Sequence, residues 1–163
     1  MLEQVEQQAL YAAALREVYR RDFPRYAREQ MWIRGAAPGE ILLLDFKPIQ
    51  KHIWSLEEAQ LQDKGYIRAF VVKPRQPGSS TLAQATMFWQ ATLNRNFNCL
   101  LIALDEDTTA NIFNMSRFFY ERLTPFLQPA IRRSNKKELV FDADPRRPTT
   151  QQGIQIGSYM QFQ

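Results

Sequence analysis

Gly78, Ser79, Ser80 and Thr81 follow directly on Val71-Val72-Lys73-Pro74-Arg75-Gln76-Pro77. An apolar run, a donor-rich turn and a hydroxyl-bearing helix start are the parts of a phosphate site. A phosphate-binding loop of the usual kind reads glycine, four residues, then Gly-Lys-Ser/Thr. Here Gly78 fills the second glycine position and Ser80 the Ser/Thr position, while Lys73 and Ser79 replace the first glycine and the lysine. Glycine lets the backbone approach a phosphate closely and adopt positive φ. The amides of Ser79, Ser80 and Thr81 would open a helix, whose N-terminus attracts phosphate. The Ser80 hydroxyl suits a Mg²⁺ ion held by the β- and γ-phosphates. Lys73 would supply the missing positive charge from the front of the loop. An ordinary strand-to-helix turn draws on the same Gly, Ser and Thr residues.

The pattern Lys73-x-Arg75-Gln76-x-Gly78-x-Ser80-Thr81 resembles the deviant Walker A motif of the terminase large subunit, the ATPase that packages DNA into tailed-bacteriophage heads. Pro74 and Pro77 depart from that motif and stiffen the loop. Upstream, Phe46-Lys47-Pro48-Ile49-Gln50 resembles the segment in which the family's glutamine reads the adenine edge. The resemblance covers roughly residues 40–163. It implies a P-loop NTPase-like partial parallel sheet with flanking helices and a C-terminal β-hairpin. It implies ATP and Mg²⁺ as cofactors. Gln50, Lys73, Arg75, Gln76, Gly78, Ser79, Ser80 and Thr81 would bind the nucleotide, with Lys73 and Arg75 in catalytic roles and Ser80 on the metal. The implied partners are double-stranded DNA bound without sequence preference, the terminase small subunit, the portal and further copies of the chain. The implied setting is viral genome packaging in the cytoplasm of a bacterial host.

An ATPase of this kind also needs an apolar strand ending in an aspartate that organises Mg²⁺, followed by a glutamate that orients water. Leu100-Leu101-Ile102-Ala103-Leu104-Asp105-Glu106 has the right letters. Its position directly after the loop's helix differs from the family, where the acidic strand lies beyond a hairpin. The chain is therefore expected to stop before that strand, to lack the nuclease domain and to hydrolyse ATP slowly or not at all. Two other readings stay open. One is a compact NTPase or helicase-like enzyme using Asp105 and Glu106; the other is a non-catalytic α/β interaction module.

The elements that must position these residues follow from periodicity. Leu2, Val5, Ala9, Ala12, Leu15 and Val18 predict a helix over about 2–21, and a second is expected over 25–34. Together they form a helical N-terminal region, 1–39, ahead of the partial ATPase domain, 40–163. A short extended segment covers 40–46. Pro48 suits the first turn of a helix over 48–62, with Ile49, Ile53, Trp54, Leu56 and Leu61 on its core face. Residues 67–73 read as the first core strand and 80–94 as the helix after the loop. Residues 98–104 read as a buried parallel strand. Asp107 is the expected N-cap of a helix over 108–127, with Ile112, Met115, Phe119, Leu123 and Phe126 as its stripe. Two strands, 138–141 and 154–162, flank a polar connection. The order βαβα argues an open parallel sheet.

The chain has 163 residues, enough for one sizeable core, and is 45% hydrophobic with a net charge of +4. That excess permits a polyanionic partner. Arg16, Arg20, Arg21, Arg25 and Arg28, with Arg34 beyond them, form one candidate surface for DNA or a partner subunit, and Arg132, Arg133, Lys136, Lys137, Arg146 and Arg147 form another for DNA. Cys99 is the single cysteine and His52 the single histidine, which argues against an internal disulfide and a histidine-rich metal site. Cys99 reads as a buried small hydrophobe. No apolar run reaches the length of a membrane span.

Overall fold

The structure is a computed structural model that describes residues 2–72, 78–94, 97–103, 105–135, 138–142 and 151–158. The described elements run α1 (Leu2–Arg21), α2 (Phe23–Gln30), β1 (Trp32–Arg34), β2 (Ile41–Leu43), α3 (Pro48–Lys64), α4 (Ser79–Leu93), β3 (Asn98–Ala103), α5 (Glu106–Arg122), a 3₁₀ turn (Pro125–Leu127), β4 (Ile131–Ser134), β5 (Glu138–Asp142) and β6 (Gln151–Ser158). The class is mixed α/β.

Helix α4 is the hub. Leu82, Ala85, Phe88, Trp89, Ala91 and Leu93 are all buried, so it is apolar on nearly every side. Such a helix needs partners all round, and α1, α2, α5 and the sheet provide them. Phe23 packs on Phe46, Trp54 and Trp89, joining α2, α3 and α4. On the far side Phe88 meets Phe119 of α5 and Phe141 of β5. Some of the polar groups buried here have partners: the Trp89 indole donates to the Tyr19 carbonyl at 2.7 Å, and the Gln84 amide to Ser116 Oγ, whereas Gln84 Oε1 and the Trp54 indole N–H have none among the described residues. The N-terminal helices thus share one continuous core with the rest of the chain.

Local signals set the helix ends. Asp22 caps α2 by accepting from the Arg25 amide at 2.9 Å, with Pro24 in the first turn. The second helix ends at Gln30, earlier than expected, because Trp32–Arg34 pairs antiparallel with Ile41–Leu43. Gly65 ends α3 in the left-handed conformation at φ 74°. For α5 the cap is Asp105, not Asp107: its carboxylate accepts from both the backbone N–H and the hydroxyl of Thr108, at 2.7 and 2.9 Å. The helix therefore starts at Glu106, and Phe113, Ser116 and Phe119 form its buried stripe, while Phe126 lies beyond it, 44% exposed.

The larger sheet has the order β3-β6-β5-β4. Its β3–β6 pair is parallel and in register from Asn98↔Gly153 to Ala103↔Ser158, and the other pairs are antiparallel. It is a mixed sheet where an open parallel one was expected; β5 and β6 pair antiparallel as the expected hairpin, and β4 adds a strand that was not expected. The strand expected over 67–73 is not formed in the described part. Residues 67–72 have no strand partner and are exposed, Phe70 at 94% and Val72 at 85%. An isolated segment has no ladder to satisfy its backbone, and the Arg68 amide turns to the Gln60 side chain instead. For the same reason α3 buries only Gln50 and Trp54, leaving Ile49 and Leu56 44% and 59% exposed.

Candidate functional site

Gly78 stands at the N-cap of α4 with φ 82° and ψ 11°, in the left-handed region that favours glycine. A second constraint falls on the same residue: a Cβ there would lie 2.9 Å from Gln50 Nε2. Gln50 is 2% exposed. Its Nε2 donates to the Gly78 carbonyl at 2.8 Å, and its Oε1 accepts from the Lys47 N–H at 2.8 Å. One buried amide therefore ties the start of α3 to the start of α4 across 28 residues of sequence.

The first amides of a helix have no partner within it. Among the described residues no side chain caps those of α4, and its first turn holds no acidic residue. The positive end of the helix dipole is left without a carboxylate of its own. Ser79 Oγ is buried and has no hydrogen-bond partner among the described residues, a cost that a ligand would remove. Ser80 is exposed and Thr81 half-buried. Of the sequence-predicted site residues, Gln50, Gly78, Ser79, Ser80 and Thr81 are brought together. Lys73, Arg75 and Gln76 lie outside the described residues.

Two cavities flank this corner. One, of about 410 Å³, lies between α3 and residues 67–72 and has Ser79 in its wall. Its lining is mostly apolar, including Ile49, Ile53, Leu56, Phe70 and Val72, with His52, Glu57, Gln60 and Arg68 as the other polar side chains. Burial pushes the Glu57 carboxyl above the ordinary glutamate value. Gln60 accepts from the Arg68 amide, which holds the segment against α3. The second cavity, of about 210 Å³, is lined by Thr81, by Trp32 and Arg34 of β1, and by Asn111, Asn114 and Phe118 of α5. The guanidinium carbons of Arg34 and Arg122 lie 5.0 and 4.7 Å from the Phe118 ring centre.

Glu57 did not stand out in the sequence, and Arg34 did so only as one of the N-terminal arginines of a basic face. Glu57 could have been found from Gln50, because residues seven apart share a helix face. The place of Arg34 beside α5 carried no such signal, since it depends on the pairing of β1 with β2. Asp105 is committed to capping α5, and the Thr108 bonds hold its carboxyl below the usual aspartate value. Cys99 is buried as expected, its thiol pushed up to about 11 by burial.

The basic surfaces are partly consumed by internal contacts. Arg16 and Arg20 donate to the carbonyls of Phe126 and Leu93, at 3.1 and 3.0 Å. Arg20 and Arg21 pair with Glu17, and Arg25 with Glu29. In the second set Arg133 pairs with Glu138 at 3.0 Å. Lys136, Lys137, Arg146 and Arg147 lie outside the described residues. Among the described residues no helix is long and apolar enough to cross a membrane. No protein-family model matches the chain, and a search of curated proteins finds no match.

Proposed function

We propose that the chain is the ATP-binding part of a viral DNA-packaging motor of the terminase large-subunit type, with α4 opening on the triphosphate. One observation carries the nucleotide reading. The corner at Gly78 presents an uncapped helix N-terminus, a left-handed glycine and a buried hydroxyl without a partner at one point, against the glutamine that the terminase resemblance pairs with the loop. The residues fit an anion there: backbone donors, no competing carboxylate, and Ser79 Oγ short of one bond. The phosphates would lie on the amides of Ser79, Ser80 and Thr81, with Lys73 and Arg75 bringing charge from the loop and the Ser80 hydroxyl on Mg²⁺. Magnesium bound to the phosphates would neutralise charge that builds during hydrolysis. Gln50 holds the loop's exit by its bond to Gly78. Its amide would have to release that bond before turning both groups to adenine. The commitment of Asp105 to the α5 cap favours the reading in which the catalytic acidic pair is not Asp105-Glu106.

Motor function, DNA as a partner, the small subunit, the portal and a homo-oligomer follow from the terminase resemblance. DNA contact would be to phosphates, since a packaging motor must move every sequence. Internal pairing of Arg20, Arg21 and Arg25 shifts that role toward the tail set.

Titration with a fluorescent ATP analogue in Mg²⁺ tests the nucleotide reading. Lys73→Ala should weaken binding by about ten- to a hundredfold, the scale of one charged hydrogen bond. Ser79→Ala should have a much smaller effect. Equal and small losses would remove Lys73 from the site, and no binding by the wild type would end the nucleotide reading.

A further inference from the structure

The cavity between α3 and residues 67–72 shares Ser79 with the uncapped start of α4, yet nothing in the loop reading uses it. Its volume of about 410 Å³ falls in the usual range for a small-molecule pocket, and its character is usual too: mostly apolar walls with a few converging polar groups. Ile53 and Val72 line it from α3 and from the facing segment, as a flat ring would require. Glu57 lies seven residues beyond Gln50 on α3, so two helical turns separate them on one face. At 1.5 Å per residue that is about 10 Å along the axis. The Gln50 end is fixed at the α4 N-terminus by the Gly78 bond. Glu57 therefore stands a nucleotide's reach from the place where phosphates would lie, with an apolar slot between. Burial already pushes its carboxyl up, with desolvation the only cause. A donor supplied by a ligand would relieve that cost. Gln50, by contrast, already spends its carbonyl on Lys47 and one N–H on Gly78.

We propose that this cavity takes the adenine base, and that the Glu57 carboxylate, not the Gln50 amide, accepts from its exocyclic amine. The assignment rests on the nucleotide reading of the Gly78 corner. Gln50 becomes a positioning residue that holds α3 and α4 at the spacing the nucleotide spans.

Calorimetric titration of the chain with Mg²⁺ and either ATP or purine riboside triphosphate, which lacks the 6-amino group, tests it. The wild type should prefer ATP by about tenfold or more, the worth of a hydrogen bond to a charged acceptor. Glu57→Ala should bring ATP down to the affinity of the amine-less analogue. Glu57→Gln keeps an acceptor oxygen and should keep the preference. Gln50→Ala should weaken both ligands and leave their ratio unchanged. Thermal melting of each variant separates a lost contact from a lost fold. Equal affinities in the wild type, a preference that survives Glu57→Ala, or GTP bound more tightly than ATP would overturn the base assignment while leaving a nucleotide site. Binding of no nucleotide by the folded wild type would overturn the nucleotide reading as well.

Discussion

Gly78 answers to two demands at once: a left-handed backbone and the nearness of Gln50 Nε2. A left-handed non-glycine residue costs about 1–2 kcal/mol before any collision is counted. Gly78→Ala should therefore lower stability by at least about that much, measured by urea denaturation, and more than Gly39→Ala, where a Cβ meets nothing within 4 Å. Equal losses at both positions would show that the Gln50 contact adds nothing. Gly78 was legible as a turn glycine because it directly precedes a Ser-Ser-Thr helix start, whether or not that start binds phosphate. Gln50 was singled out by the resemblance of its segment to the terminase adenine-reading segment, but its bonds to Lys47 and Gly78 were not foreseen, since they depend on how α3 meets α4. Glu57 was overlooked because a single acid on a helix reads as surface until the facing segment covers it.

The helices were the legible elements, because each carries a long periodic pattern and local end signals. Pro24, Pro48 and Gly65 mark boundaries close to where they fall. The α5 cap was misplaced by two residues because Asp105 and Asp107 are both capable caps, and only the Thr108 bonds decide between them. Asp105→Ala should accordingly destabilise the chain more than Asp107→Ala. The pH dependence follows from the lowered carboxyl of Asp105. A group whose folded value is depressed contributes stability above its unfolded value and loses it as pH falls through the folded one. In Asp105→Asn the acid limb of the stability profile should flatten, as seen by circular dichroism across an acid titration. An unchanged profile would mean that the cap's charge is immaterial. The strands were harder to read. Residues 67–73 have strand-like composition, but pairing is a property of two segments, and in the described part this one has no partner. The parallel β3–β6 pair joins residues far apart in sequence, which a local pattern cannot specify.

At the scale of the molecule, the core is continuous but the apolar surface is not fully enclosed. Phe70, Val72, Leu100 and Ile102 are 94%, 85%, 59% and 55% exposed, and among the described strands β3 lies at the edge of its sheet. Exposed apolar edges of this kind favour association. Phe70→Lys with Ile102→Lys should reduce concentration-dependent self-association in sedimentation velocity without lowering the melting temperature. A monomer in the wild type at all concentrations would show that these residues do not meet one another in solution. The aromatic cluster under α3 has a separate consequence. Trp54 and Trp89 meet edge to face, 5.9 Å apart, and the Trp54 indole N–H is buried without an acceptor. Trp54 also lies on the helix whose other residues line the larger cavity, while the remaining tryptophan, Trp32, borders the smaller one beside Thr81. The chain's own ultraviolet emission thus originates on both flanks of the α4 start. It makes the protein its own optical gauge, one that registers occupancy of that corner without any dye.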